Sequence, residues 1–146
     1  IIKRALASAE VPARLEPSSL SRDDGKRPDD MSLMPWKEGR CLIWDFTCAD
    51  TLAQSHLDRA VLRAATVADD AEQRKRQNYV SLSATYYFVP ICIETLGPMG
   101  EEAAAFFADV GQRIATATGE PRSKAFLMQR LSIAVQRGNA AACSEQ

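Results

Sequence analysis

Apolar and polar positions along this 146-residue chain follow two rhythms that alternate several times. Ile2, Leu6 and interleaved alanines lie at helical spacing over residues 1–10, and Pro12 closes that segment. Residues 11–20 are proline-punctuated, with Leu15 near the centre, which predicts a short edge strand. Residues 21–26 have the composition of a loop. Residues 29–36 alternate loosely, Lys37-Glu38-Gly39-Arg40 is a glycine-containing hairpin turn, and residues 41–48 form the clearest strand of the chain. Antiparallel pairing of 30–36 with 41–48 follows from that turn.

Residues 52–87 contain no proline or glycine, are rich in Ala, Arg, Glu and Gln, and read as helix with a break near Thr66. Residues 88–95 are a second apolar strand whose proline stands near its start. Gly97-Pro98 interrupts the pattern. Residues 99–118 form an amphipathic helix with Phe106, Phe107, Val110 and Ile114 on its apolar face. Pro121 opens a last helix that presents Phe126, Leu127, Leu131 and Val135. The order helix, three strands, helix, strand and two helices predicts an α/β fold with a mixed sheet of about four strands flanked by helices. The whole chain, 1–146, is expected to be one domain with a core at 26–100 and a helical pair at 99–140.

Composition narrows the classes. An apolar fraction of 46% and a charged fraction of 25% are ordinary for a folded chain. No apolar run approaches the roughly 20 residues of a membrane span, so no membrane partner is expected. The start at Ile1-Ile2 suggests a piece of a longer product. The four cysteines form no Cys-x-x-Cys pair, and His56, the single histidine, leaves no second imidazole for a Cys/His zinc set. Buried reduced thiols are the expectation. A net charge of −1 gives no general basic footprint for nucleic acid, so a local patch must supply phosphate affinity.

One position breaks the β pattern. Within Cys41-Leu42-Ile43-Trp44-Asp45-Phe46-Thr47-Cys48, Asp45 puts a carboxylate where apolar residues otherwise dominate. Desolvating it is costly unless it is paired, protonated or bound to a metal. Alternation sets Ile43, Asp45 and Thr47 on one face, with Leu42, Trp44 and Phe46 on the other. Asp29, at the entrance of the preceding strand, is expected near the end of the same ladder. Two carboxylates there suit Mg²⁺, a hard ion that takes oxygen ligands and binds substrate phosphate. On the 52–87 helix, Glu72, Lys75 and Tyr79 fall at i, i+3 and i+7 on one face, flanked by Arg74 and Arg76.

Arg27-Pro28-Asp29, then Trp44-Asp45-Phe46-Thr47, then Glu72-x-x-Lys75-x-x-x-Tyr79, then Phe88 to Gly97 together resemble the restriction-enzyme-like endonuclease domain of retrotransposons lacking long terminal repeats. That domain is a branch of the PD-(D/E)xK nucleases, and the similarity covers about residues 26–100. The resemblance implies a DNA endonuclease that uses Mg²⁺ or Mn²⁺ to nick target DNA and prime reverse transcription. It also implies a polyprotein with a reverse transcriptase and a zinc-knuckle region, and an intracellular, nuclear location. Residue by residue, Asp29 and Asp45 match the metal-binding carboxylates and Lys75 the catalytic lysine displaced onto a helix. Glu72 and Tyr79 support it, and Arg74 and Arg76 are candidate phosphate contacts. Thr47 and Asn78 stand where the family commonly has lysines.

Plainer readings stand beside these. Asp29 after proline is a frequent turn former, and a charge run such as Arg74-Lys75-Arg76 is usually a solvated face. Glu72 and Arg76 are spaced as a surface pair. Glu94 either caps the following turn or adds a third ligand. Asp50, His56 and Asp58 read as helix-start charge. Trp44, Phe46, Phe106, Phe107 and Phe126 are expected in the core. The alternative function is a catalytically inactive nuclease fold that serves nucleic-acid binding or polyprotein assembly.

Overall fold

In the computed structural model the described residues are 1–15, 27–53 and 64–144. Helix α1 (Ile2–Ser8) leads into a short strand β1 (Ala13–Leu15), followed by β2 (Asp30–Lys37) and β3 (Arg40–Ala49). Helix α2 (Thr66–Asn78) and a single 3₁₀ turn (Val80–Leu82) connect to β4 (Tyr87–Glu94), and α3 (Glu101–Thr118) and α4 (Ser123–Ser144) complete the chain. The strands stand in sequence order in one sheet, antiparallel from β1 to β3 and parallel between β3 and β4. The fold is therefore α/β with a four-stranded mixed sheet, in the element order the pattern predicts.

Strand alternation divides the core between two faces. Leu42, Trp44, Val89, Ile91 and Ile93 point toward α1, α3 and α4, where they meet Leu6, Phe106, Phe107, Val110, Leu127 and Leu131. Ile43 and Phe88 pack with Tyr79 on the opposite face. Cys92 and Ala49 lie on that same face against Val67, Ala68 and Ala71 of α2. Helix α3 ends where Gly119 takes φ +76° and its amide bonds Ala115 O, a left-handed cap open to glycine at little strain. Gly111 lets α4 come close, since a Cβ there would sit 2.7 Å from the Lys124 backbone.

The β2–β3 hairpin closes through the two residues Glu38 and Gly39, both at positive φ (52° and 69°), a tighter turn than the sequence suggests. The ladder then slips. Lys37 pairs Arg40, Pro35 pairs Cys41, and Asp30 pairs Trp44. Pro35 has no N–H to give the ladder, which favours such an irregularity. Ser32, fully buried, repairs it: its hydroxyl accepts from Leu42 N at 2.8 Å and donates to Met34 O at 2.7 Å.

Several expectations change in detail. The helix expected to run to Tyr87 ends at Asn78, because Tyr79 turns into the core and the aromatic run Tyr86-Tyr87-Phe88 joins β3 from the Leu42–Tyr87 pair onward. Phe46 and Phe126 are not core: they are 41% and 42% exposed, and Phe126 stands one helical step from buried Leu127. Of the thiols only Cys92 is fully buried; Cys48 and Cys143 are exposed. The 21–26 loop, His56 and Asp58 lie outside the described residues. No described helix is long and apolar enough to cross a membrane.

Replacing Ser32 by alanine leaves the buried Leu42 amide without its acceptor. The expected loss is about 1–3 kcal/mol, the usual cost of an unsatisfied buried donor. Urea denaturation should show it as a lower midpoint at constant slope, and an unchanged midpoint would mean that the ladder closes without the hydroxyl.

Candidate active site

Asp45 occupies an inner strand, between β2 and β4, opposite Pro90 in the parallel register. It faces α2. Lys75 Nζ lies 2.9 Å from Asp45 Oδ2, with both side chains less than a fifth exposed (18% and 17%). The same ammonium is 3.4 Å from the Phe46 carbonyl oxygen. Lys75 reaches this point because its helical neighbours at i−3 and i+4, Glu72 and Tyr79, are buried against the sheet and hold that face inward.

Asp29 arrives through the slipped hairpin. Extended straight from the Lys37–Arg40 pair, the register would set Asp29 opposite Cys48, on the face away from Asp45. The bulged strand instead pairs Asp30 with Trp44 and brings Asp29 level with Asp45. Asp29 N donates to Trp44 O at 3.0 Å, and Phe46 N donates to Asp29 Oδ2 at 2.7 Å. Partial burial raises the Asp29 carboxyl above its ordinary range. The Phe46 amide and Lys75 pull it down, while the charge and side chain of Asp45 push it further up. The two carboxyls form a crowded pair with the Lys75 ammonium beside them.

The donor chemistry fits a small divalent cation. Two carboxylates and the nearby Phe46 carbonyl present oxygen only, which favours a hard ion over zinc. Among the described residues no three His, Cys, Asp or Glu side chains gather. Magnesium or manganese suits a set of this size, since such an ion keeps water and takes substrate phosphate in its remaining positions. Glu94 does not add a ligand. Its carboxylate accepts from Thr51 Oγ1 at 3.0 Å and from Ala68 N at 3.2 Å, so it caps the start of α2. That differs from the expected cap of the following turn.

Glu72 is the residue whose role the sequence conceals. It is 2% exposed, not half of a surface pair. Its carboxylate accepts from Cys92 N (3.2 Å), Glu102 N (2.9 Å) and Ala103 N (3.0 Å). Asp69 Oδ1 takes the Glu101 amide at 2.8 Å, so side chains of α2 satisfy the first turn of α3. The signal was Gly100: it stands before Glu101-Glu102 at a helix start with no side chain to cap it, and a Cβ there would collide with the Glu72 carboxyl. Arg76 is committed to the carboxylate of Glu102 and, at 3.1 Å, to Phe88 O. Arg74 is exposed. Tyr79 is core, its ring tilted by 35° against Phe88 with centroids 4.6 Å apart.

Burial pushes the Glu72 carboxyl up to about 7, against the opposing pull of its three amide donors. The native state then keeps a proton that the unfolded chain releases near the ordinary glutamate value of 4.5. That contribution is complete below about pH 4.5 and is lost as pH rises through about 7. The shift is worth roughly 3 kcal/mol. Urea denaturation from pH 4 to 8 should show this fall, and Glu72→Gln should flatten it; an equal slope in both proteins would remove Glu72 as its source.

No protein-family model matches the chain, and no curated protein matches it.

Proposed function

We propose that this domain is a divalent-metal DNA endonuclease of the PD-(D/E)xK type, serving a retroelement polyprotein by nicking target DNA so that the freed 3′ end primes reverse transcription. The observation that supports it most is the meeting of Asp29, Asp45 and Lys75, with Lys75 Nζ 2.9 Å from Asp45. They come from a strand entrance, an inner strand and a crossover helix far apart in sequence. Alternating patterns that make an α/β core do not require these three to converge.

Asp29 and Asp45 would hold the Mg²⁺ or Mn²⁺. When bound, such an ion lowers the pKa of a water molecule and offsets negative charge on the phosphate under attack. Lys75 is placed to donate to a phosphate oxygen or to orient water, a role that is worth most in a partly desolvated site. The Phe46 amide fixes one Asp29 oxygen. Hydrolysis adds the water oxygen to phosphorus, breaks the P–O3′ bond and leaves a protonated 3′ oxygen. Thr47 carries no ammonium, and among the described residues Lys75 supplies the cation in this arrangement. The reverse transcriptase, the zinc-knuckle region and a nuclear location belong to the same proposal.

Purified domain with supercoiled plasmid and Mg²⁺ should give open circles, and EDTA should abolish them. Asp29→Ala and Asp45→Ala should each lower the nicking rate by about 10² or more, and Lys75→Ala by a comparable factor, the usual loss when one transition-state contact is removed. Nicking that persists in Asp45→Ala would refute the assigned site.

A further inference from the structure

The last helix carries charge that neither its packing nor its dipole explains. Residues 121–144 hold four basic residues and no acidic one, whereas the composition of the chain would place about three acidic residues in a stretch of that length. Arg122 precedes α4 and pairs with Glu120, so the helix itself, Ser123–Ser144, carries Lys124, Arg130 and Arg137 with no acidic residue, in a chain of net charge −1. Basic residues in a last helical turn would serve the dipole, but α4 has none there, and Lys124 lies in the first turn, where the dipole disfavours a cation. Its buried residues are Ser123, Leu127 and Leu131, with Met128 and Val135 partly packed.

The outward face is ordered. Phe126, Arg130, Ile133 and Arg137 follow one another at i, i+4, i+7 and i+11, all exposed. A shallow depression along this face is lined by Ser132, Ile133, Gln136, Arg137 and Ala140, joining neutral hydrogen-bonding groups to the Arg137 guanidinium. Farther along, Val135, Gly138 and Asn139 border a cavity of about 770 Å³ that Asp29 and Phe46 also line. Asn139 Nδ2 ties this turn to Thr95 O at 2.5 Å. These three cavity residues lie on the side of α4 turned away from Arg130 and Arg137, and α4 packs on the sheet face opposite the one on which Asp45 meets Lys75.

We infer that the exposed face of α4, with Arg130 and Arg137 as its charged anchors, is a docking surface for the sugar-phosphate backbone of duplex DNA. The inference rests on DNA being the substrate class proposed above. Guanidinium groups suit phosphate by their forked donors and weak hydration. Phe126 and Ile133 supply apolar contact for sugar faces between them. Backbone contact of this kind positions a duplex without reading its sequence.

The test is fluorescence anisotropy of the whole domain with labelled duplex DNA in EDTA, so that no strand is cut, over a range of NaCl concentrations. Arg130→Ala/Arg137→Ala should weaken binding roughly tenfold or more and lower the slope of log K against log [salt] by nearly two. Circular dichroism and melting should match the parent, since both side chains are exposed. Unchanged affinity and slope in the double variant, or no DNA binding by the parent, overturns the inference. So does displacement of DNA by polyglutamate at equal charge concentration, which would mark an acidic protein as the partner. Loss of binding in the arginine variant while no protein nicks plasmid supports this surface and removes only the nuclease reading.

Discussion

A buried carboxylate holds the architecture of the site together. Glu72 reaches from the middle of α2 to the amide of Cys92 on β4 and to two amides at the start of α3. Glu94, at the end of β4, reaches back to the Ala68 amide at the start of α2. Each helix start is thus satisfied by an acidic side chain from another element, which suits the partial positive charge of helix N-termini. The arrangement fixes α2 over the sheet in rotation and in height. Lys75, one turn beyond Glu72, inherits that placement and meets Asp45 across a gap that a small rotation of the helix would open.

The second constraint is the irregular hairpin. A regular ladder running down from Glu38-Gly39 would put Asp29 level with Cys48. Slippage around Pro35, with the Ser32 hydroxyl standing in for a missing ladder partner, moves Asp29 beside Asp45 instead. Side chains alternate faces along a strand, so an odd shift changes which face a residue serves. The same bulge therefore sets both the distance between the carboxylates and the side on which they meet. Burial raises the Asp29 carboxyl and the neighbouring charge of Asp45 adds to the rise, a crowding that a bound cation relieves.

Charge is divided between the two faces of the molecule. On the α2 side, acidic groups are internal and committed: Glu72 and Glu94 to helix starts, Asp45 to Lys75. Arg76 is likewise drawn in, toward Glu102 and the Phe88 carbonyl, and Arg113 lies over Trp36 with its guanidinium 3.7 Å from the ring centroid. The helix α4 differs in that Arg130 and Arg137 stand exposed with no carboxylate on their own helix.

The sequence alone determined the element order and both core faces, because alternation in 41–48 and 88–95 and helical spacing in 99–140 are local properties of period two and period 3.6. It also singled out Asp45, since a carboxylate in an apolar strand is visible as a broken pattern, and it put Glu72, Lys75 and Tyr79 on one helical face. What it left undecided depends on distance through space. Nothing local states that Gly100 makes room for Glu72, that Arg76 turns to Glu102, or that Phe46 and Phe126 stay exposed. The juxtaposition of Asp29 and Asp45 was legible as proximity along a hairpin, but the bulge that makes it real depends on hydrogen bonds between strands. Those bonds exist only once Leu42 and Ser32 are buried together, so the tertiary structure decided it.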